Sequence, residues 1–449
     1  MTATAPGIAP SVGTGTLAGA DAPALCAELI ALARARGADA AEVTHGSGER
    51  FEIEFENEAV MQVRSVADET TALTVFRDGK RGSATINGRS AEAIEAALAD
   101  ALTAADAGIA DPANDVADAP SEPATAHGAA APDRPAMRDA VRACMAELET
   151  RYPKIRTRGS GYVFDLGEAC FANSRGVTQR ERRGSYSFGM VFVAKDGADT
   201  TSANWSGAAS FAPFEALLDA GGTRRLLDET ERSLHPHPIP EKFVGDVIIT
   251  PECLAGFVGM LAGALGGHAL MAGTTPYKDR KGEAIADARF SLLNRPRAPE
   301  FPGGATFDAN GVPTRDLDVV RDGVLADYLI DFYISRKLGM AQTAGRTNFI
   351  VPSGDCALDD IVASTRRGVL LCRFSGGVPS ANLDFTGVAK NSFYIEDGAI
   401  RHPLVETMLS GNLQDLLKQI RGISRESVNF GNGRFPYLAA GGVTISSKT

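Results

Sequence analysis

Histidine is scarce in this sequence, with six among 449 residues, and that scarcity limits the metal and acid–base chemistry the chain can hold. No His-Glu-x-x-His occurs, so the commonest helical zinc-peptidase arrangement is missing. Gly-x-Ser-x-Gly is missing as well, which removes the local signature of a serine nucleophile but not a nucleophilic site assembled from distant residues. The six cysteines, Cys26, Cys144, Cys170, Cys253, Cys356 and Cys372, lie far apart and form no Cys-x-x-Cys pair. A disulfide framework or zinc knuckle is therefore not expected, and a reducing cytoplasm fits best. There is no basic excess either: 45 Lys and Arg against 56 Asp and Glu leave a net charge of -11. Phosphate binding depends on clustered cations, so neither nucleic acid nor an anionic membrane is an expected partner.

What is present points to a globular protein. Hydrophobic residues make up 44% of the chain, enough to bury a sizeable core in two or three domains of roughly 100–200 residues each. Cys253 to Gly273 is long enough to span a bilayer and carries no formal charge, but its six glycines make it a poor membrane helix. Ala255, Gly259, Gly263 and Gly267 recur every fourth residue, a stripe that would let another backbone approach. A buried, tightly packed helix ending at His268 is the expectation here. Met1 to Ala20 has no basic residue and no continuous apolar run, so it is expected to be a disordered tail and not a secretory signal. Gly13-Thr14-Gly15 with Gly19 falls within that tail, and no strand precedes it.

Periodicity gives the elements. Leu25, Leu29 and Leu32 predict a helix from Ala22 to Arg36, closed by Gly37. Phe51, Ile53 and Phe55 alternate with Glu52, Glu54 and Glu56, the pattern of a strand with one wet face. Strands are expected around Val60–Val66 and Ala72–Phe76, with a turn at Asp78-Gly79 and Ser90 capping a helix over Ala91–Ala104. A helix over Pro135–Arg151 leads to a strand meander through Phe164, Phe171 and Phe192, and another helix is predicted from Phe214 to Leu234. Further turns are marked by Asp322-Gly323 and Asp397-Gly398. The resulting division is a tail (1–21), an N-terminal α/β domain (22–106), an Ala/Pro/Asp-rich linker (107–134), a strand-rich middle region packed with the N-terminal domain (135–237) and a C-terminal domain (238–449). His235 to Pro240 is the sharpest boundary, because three prolines break regular structure there.

Few residues offer chemistry. His235 and His237 read as exposed linker histidines, while His45, His127 and His402 have no partner at ligand spacing. Arg156, Arg158, Arg175, Arg180, Arg182 and Arg183 could form an anion-binding face, but they read better as charges protecting strand edges.

Several ordered segments resemble the TldD/TldE (PmbA) metallopeptidase family. Ala41-Glu42-Val43, Asp78-Gly79-Lys80-Arg81-Gly82 and the helix after Ser90 are similar to its N-terminal domain. Phe307-Asp308-Ala309-Asn310-Gly311-Val312, Asp322 to Leu329, Arg336-Lys337-Leu338-Gly339, Leu383 to Gly387, Phe393 to Gly398 and Ser410-Gly411-Asn412-Leu413 are similar to its C-terminal domain. The resemblance covers about residues 22–445. It implies a two-domain α+β fold, with an N-terminal α/β region and a C-terminal domain rich in antiparallel strands.

TldD subunits carry a helical His-Glu-x-x-x-His metal motif and a further cysteine ligand near the C-terminus. Alignment on His268 puts Gly263 and Ala264 where the first His and the Glu would stand, and Ser427 to Gly433 contains no cysteine. A zinc site needs three protein ligands and an open position. The departure resembles the TldE (PmbA) branch, which implies no catalytic residue and no metal on this chain. It also implies zinc on a TldD-like partner in a heterodimer, with activity on unfolded peptides only in that complex. The alternative is a homodimeric binding or biosynthetic-accessory protein without peptidase activity. A third possibility, a different active site using His268, Cys372 or Asp384, has little in the residues to favour it.

Overall fold

The computed structural model describes residues 22–57, 59–86, 88, 90–343, 348–377 and 379–447; the expected N-terminal tail lies outside them. The chain folds as α+β around two sheets rich in antiparallel pairs.

The first sheet is built from α1 (Ala22–Ala35), β1 (Ala40–Glu56), β2 (Ala59–Arg77), β3 (Lys80–Ile86), α2 (Ala91–Ala107), β4 (Thr125–Gly128), α3 (Arg134–Arg151), β5 (Ile155–Asn173), β6 (Thr178–Asp196), β7 (Asp199–Thr200) and β8 (Asn204–Ser210). Its order is β3-β2-β1-β5-β6-β4, with β7 and β8 also on β6. Where two short strands each were expected, β2 and β5 run unbroken for 19 residues. A strand is limited by its partners as much as by its own sequence, and β1 pairs with both along nearly its whole length.

One face of β1 carries Ala41 and Val43 beneath α1 and α2, then Phe51, Ile53 and Phe55 beneath α3. Period two thus holds across 15 residues, with His45, Ser47 and Glu49 separating two apolar patches on one face, one beneath α1 and α2 and the other beneath α3. The other face is less wet than the alternation suggests: Glu52 is buried and paired with Arg64 from the neighbouring strand. Ser90 caps α2 as expected, its side chain accepting from Ala93 N. Three of the four Asp-Gly pairs, Asp78-Gly79, Asp322-Gly323 and Asp397-Gly398, place both residues at positive φ, the geometry that links tightly twisted hairpin strands.

The segment 107–134, read as a linker, is tied down. Val116 and Ala117 are buried, Asp111 pairs with Lys337 and β4 adds in parallel to β6. The helix expected from Phe214 is instead a tight turn over 217–222 followed by α4 (Thr223–Arg232). Gly221 and Gly222 adopt positive φ there, and a β-carbon on Gly221 would meet Gly207 O at 2.4 Å.

The second sheet is centred on β9 (Phe243–Ile249), which lies antiparallel to 433–447 and parallel to 367–371. Residues 373–376 carry the latter strand on to pair with 384–390, which pairs with 407–412, which pairs with 433–447. The ladder therefore returns to β9 and closes a ring. Directly after β9 comes α5 (Pro251–Ala264), packed on the ring strands, then α6 (Gly267–Ala272).

The single helix expected through His268 is thus two. Gly266 is extended and bridges Leu329, with Gly267 N donating to Leu329 O at 2.9 Å and Leu329 N to Leu265 O at 3.0 Å. A strand-like pairing with a residue 63 positions away replaces the next helical turn. Among the described residues no helix is long and apolar enough to cross a membrane.

Candidate functional site

The glycines of α5 do not serve close packing. A β-carbon on Gly256, Gly259 or Gly263 would touch nothing within 4 Å, and Gly256 and Gly259 are exposed. Only Gly267, beyond the break, is packed tightly, with the Ile334 side chain 2.6 Å from where its β-carbon would be. The open side of α5 instead borders a hollow of about 200 Å3 shared with β8 and residues 372–376.

At the start of α5, Glu252 is held by Arg225 of α4, which also grips Glu229 through contacts of 2.7 and 2.8 Å. The Arg225 guanidinium lies 5.7 Å from the ring centre of Tyr437. Burial works against the charge on Arg225, but Glu229 and Glu252 outweigh it and raise its pKa. Burial raises the Glu229 pKa, with Arg225 opposing. The cluster joins α4, α5 and the last strand with one cation shared between two acids.

Cys372 sits beside it, buried at the edge of the same hollow. Burial first, then Glu229, pushes its thiol well above the usual range, so the nucleophilic thiolate is suppressed. Asp384 is exposed and occupied by hydrogen bonds with Ser380 Oγ at 3.1 Å and Asn412 Nδ2 at 2.9 Å. His268 lies on the first turn of α6, its side chain 72% exposed and Nε2 3.8 Å from Asp331 Oδ2. The structure therefore brings none of His268, Cys372 and Asp384 into contact with another.

Gly263 and Ala264 end α5 on the other side of the break from His268. Two of these three positions have no donor atom and the third faces solvent with one acid nearby, so these residues do not fit a metal ion. Among the described residues no group of three or more His, Cys, Asp or Glu could hold one.

Other pairings were invisible in sequence spacing. His237 and His402, 165 positions apart, stand with ring centres 5.5 Å apart, edge to face. His45 is buried, with Nδ1 2.9 Å from Thr71 Oγ1. Of the six arginines expected to protect strand edges, three are met by acids, Arg175 in the turn after β5 by Asp115 at 2.8 Å, Arg180 by Glu168 at 3.4 Å and Arg183 by Glu181 at 3.0 Å, and the strands they flank, β5 and β6, are paired on both sides and are not sheet edges.

Two family models match the chain, the PmbA/TldA metallopeptidase C-terminal domain over residues 242–447 and the PmbA/TldA metallopeptidase domain 1 over residues 41–105. Metalloprotease PmbA of Escherichia coli O157:H7 is 26% identical over 424 residues, covering 90% of this chain and 92% of that protein. A Metalloprotease PmbA homolog of Haemophilus influenzae is 25% identical, with 88% and 89% covered. The crystal structure of TldE from Thermococcus kodakarensis superposes with a TM-score of 0.80 at 20% identity, over 94% of this chain and 99% of that one.

Proposed function

We propose, for a chain that belongs to the PmbA/TldD metallopeptidase family, the role of a TldE-like subunit without metal of its own. It pairs with a TldD-like subunit that carries zinc, and the complex degrades or processes unfolded peptides in the cytoplasm. The observation that carries this reading is the donor set. Gly263 and Ala264 stand where the family motif has ligand and base, and neither has a side-chain donor. His268 is left exposed beyond a helix break with only Asp331 beside it. A hydrolytic zinc site needs three ligands and a base for its water, and a lone histidine supplies neither.

The test is elemental metal analysis with solution mass, on the purified chain alone and co-expressed with a TldD-like protein. The expected result is a metal-free chain that forms a one-to-one, zinc-containing, peptide-cleaving complex only with that partner. A purified chain with stoichiometric zinc and peptidase activity overturns the reading. A metal-free homodimer that ignores the partner assigns the chain to a binding or accessory role instead.

A further inference from the structure

The chain has a single tryptophan, Trp205, and it stands half exposed on β8. The guanidinium of Arg373 lies over its ring, Cζ 3.7 Å from the ring centre. A weakly hydrated, delocalised cation is well suited to an indole face. Arg373 Nη1 also donates to the Ala203 carbonyl. Neither contact neutralises it: burial lowers the pKa of Arg373, no acidic side chain among the described residues offsets that effect, and Nε is buried without a hydrogen-bond partner. The contrast with Arg225, held by two carboxylates, is direct.

Both partners line the hollow of about 200 Å3 beside α5, with Phe257, Met260 and Phe374 as its apolar side. Gly256 opens the floor, since a β-carbon there would meet nothing within 4 Å. Glu252 borders the same space, one of its oxygens held by Arg225, which it shares with Glu229, and the other, Oε2, buried without a hydrogen-bond partner. What remains is an unpaired, partly desolvated guanidinium at one end and apolar surface at the other, with room for one terminal residue.

We propose that this hollow binds the C-terminal end of a peptide, its carboxylate on the Arg373 guanidinium and its last, apolar side chain against Phe257, Met260 and Phe374. The inference rests on the reading that the chain handles peptides. A guanidinium whose face is fixed on an indole still offers the N–H donors along its edge, and a carboxylate takes these as a fork. An interior peptide bond brings no charge to compensate the buried cation. The site therefore selects free chain ends, the kind a peptidase complex generates and meets in its substrates.

Trp205 supplies the readout, because all tryptophan emission comes from the site. The probes are the pentapeptide Ala-Ala-Ala-Ala-Phe with a free carboxylate and the same peptide with a C-terminal amide, titrated into the full chain. The free acid is expected to shift Trp205 emission saturably, and the amide to bind weaker by on the order of tenfold to a hundredfold, the worth of one hydrogen bond to a charged group. Arg373→Gln should erase the preference for the acid, and Gly256→Val should weaken both probes by filling the floor, each variant checked by circular dichroism. No saturable response to the acid, equal binding of acid and amide, or a preference that persists in Arg373→Gln overturns the proposal. Solution mass with a TldD-like protein separates the two claims. A chain that pairs but shows no acid preference loses the pocket and keeps the subunit role, and a chain that prefers the acid but does not pair keeps the pocket alone.

Discussion

Gly311 packs against Phe171 so closely that a β-carbon on it would stand 2.2 Å from the ring's Cε1. The contact joins the loop after Phe307 to β5 of the first sheet, and Gln179 Nε2 reinforces it by donating to Gly311 O at 2.9 Å. Gly311 also adopts φ +76, where a side chain is strained regardless of space.

Gly311→Ala is accordingly expected to cost about 2–5 kcal/mol, combining left-handed strain with overpacking. Urea unfolding measures it. Adding Phe171→Ala should recover the packing part but not the strain, so a double-mutant cycle should show coupling. Independent, additive effects of the two changes would refute a direct contact.

At Gly259 the opposite outcome is expected. The residue lies inside α5 with nothing within 4 Å of a β-carbon, so Gly259→Ala removes backbone freedom without a clash and should stabilise by about 0.5–1 kcal/mol. A lower melting temperature would mean that the glycine stripe receives another backbone after all.

Glu42 makes stability depend on pH. Burial raises its pKa from 4.5 to about 7, with Asp308 adding to the rise and Arg81 and the Asn310 side chain opposing it. Because the folded pKa lies above the unfolded one, the contribution is fully present below pH 4.5 and lost as pH rises through about 7. At 1.36 kcal/mol per unit this amounts to roughly 3 kcal/mol across that window. Glu42→Gln should flatten this part of the profile and be more stable than the parent at pH 8. Melting temperatures at pH 5 and pH 8 decide it, and an unchanged difference between parent and variant would rule Glu42 out.

Removing Arg225 should be among the most damaging single changes. Arg225→Met leaves Glu229 and Glu252 buried without their cation, a cost of about 3–5 kcal/mol for breaking a buried pair from one side. Replacing all three by apolar residues of similar size should restore much of the loss, since the desolvation cost disappears with the charges. Denaturant midpoints of the single and triple variants make the comparison.

Thiol chemistry tests the burial pattern. Five cysteines are buried and Cys356 is partly exposed, while burial, followed by Asp355, raises the Cys356 pKa. An aromatic disulfide reagent at pH 8 should therefore label only Cys356 in the folded chain, slowly, and label all six in denaturant. Rapid labelling of Cys372 in the native state would reopen it as a nucleophile.

The sequence by itself determined what depends on neighbours a few positions away. Leu25, Leu29 and Leu32 set the first helix, and Ser90 the start of α2. The alternation at Phe51, Ile53 and Phe55 set a strand, and the Asp-Gly pairs at 78–79, 322–323 and 397–398 set tight turns. Turn geometry, capping and periodicity are local, so they can be read without the fold. The ordered motifs of the C-terminal half also carried the family. Tertiary structure decided what depends on residues far along the chain. Leu329 breaks the helix at Gly266, so Gly263, Ala264 and His268 share no helical face. Arg64 reaches across to bury Glu52, and His237 meets His402. Arg373 settles on Trp205, 168 positions away, without a carboxylate partner among the described residues. None of these can be read from neighbours a few positions away: at Gly266 the broken helical turn is offset by backbone hydrogen bonds to Leu329, and at Glu52 a buried carboxylate is met by a cation from the next strand, partners that only folding brings near.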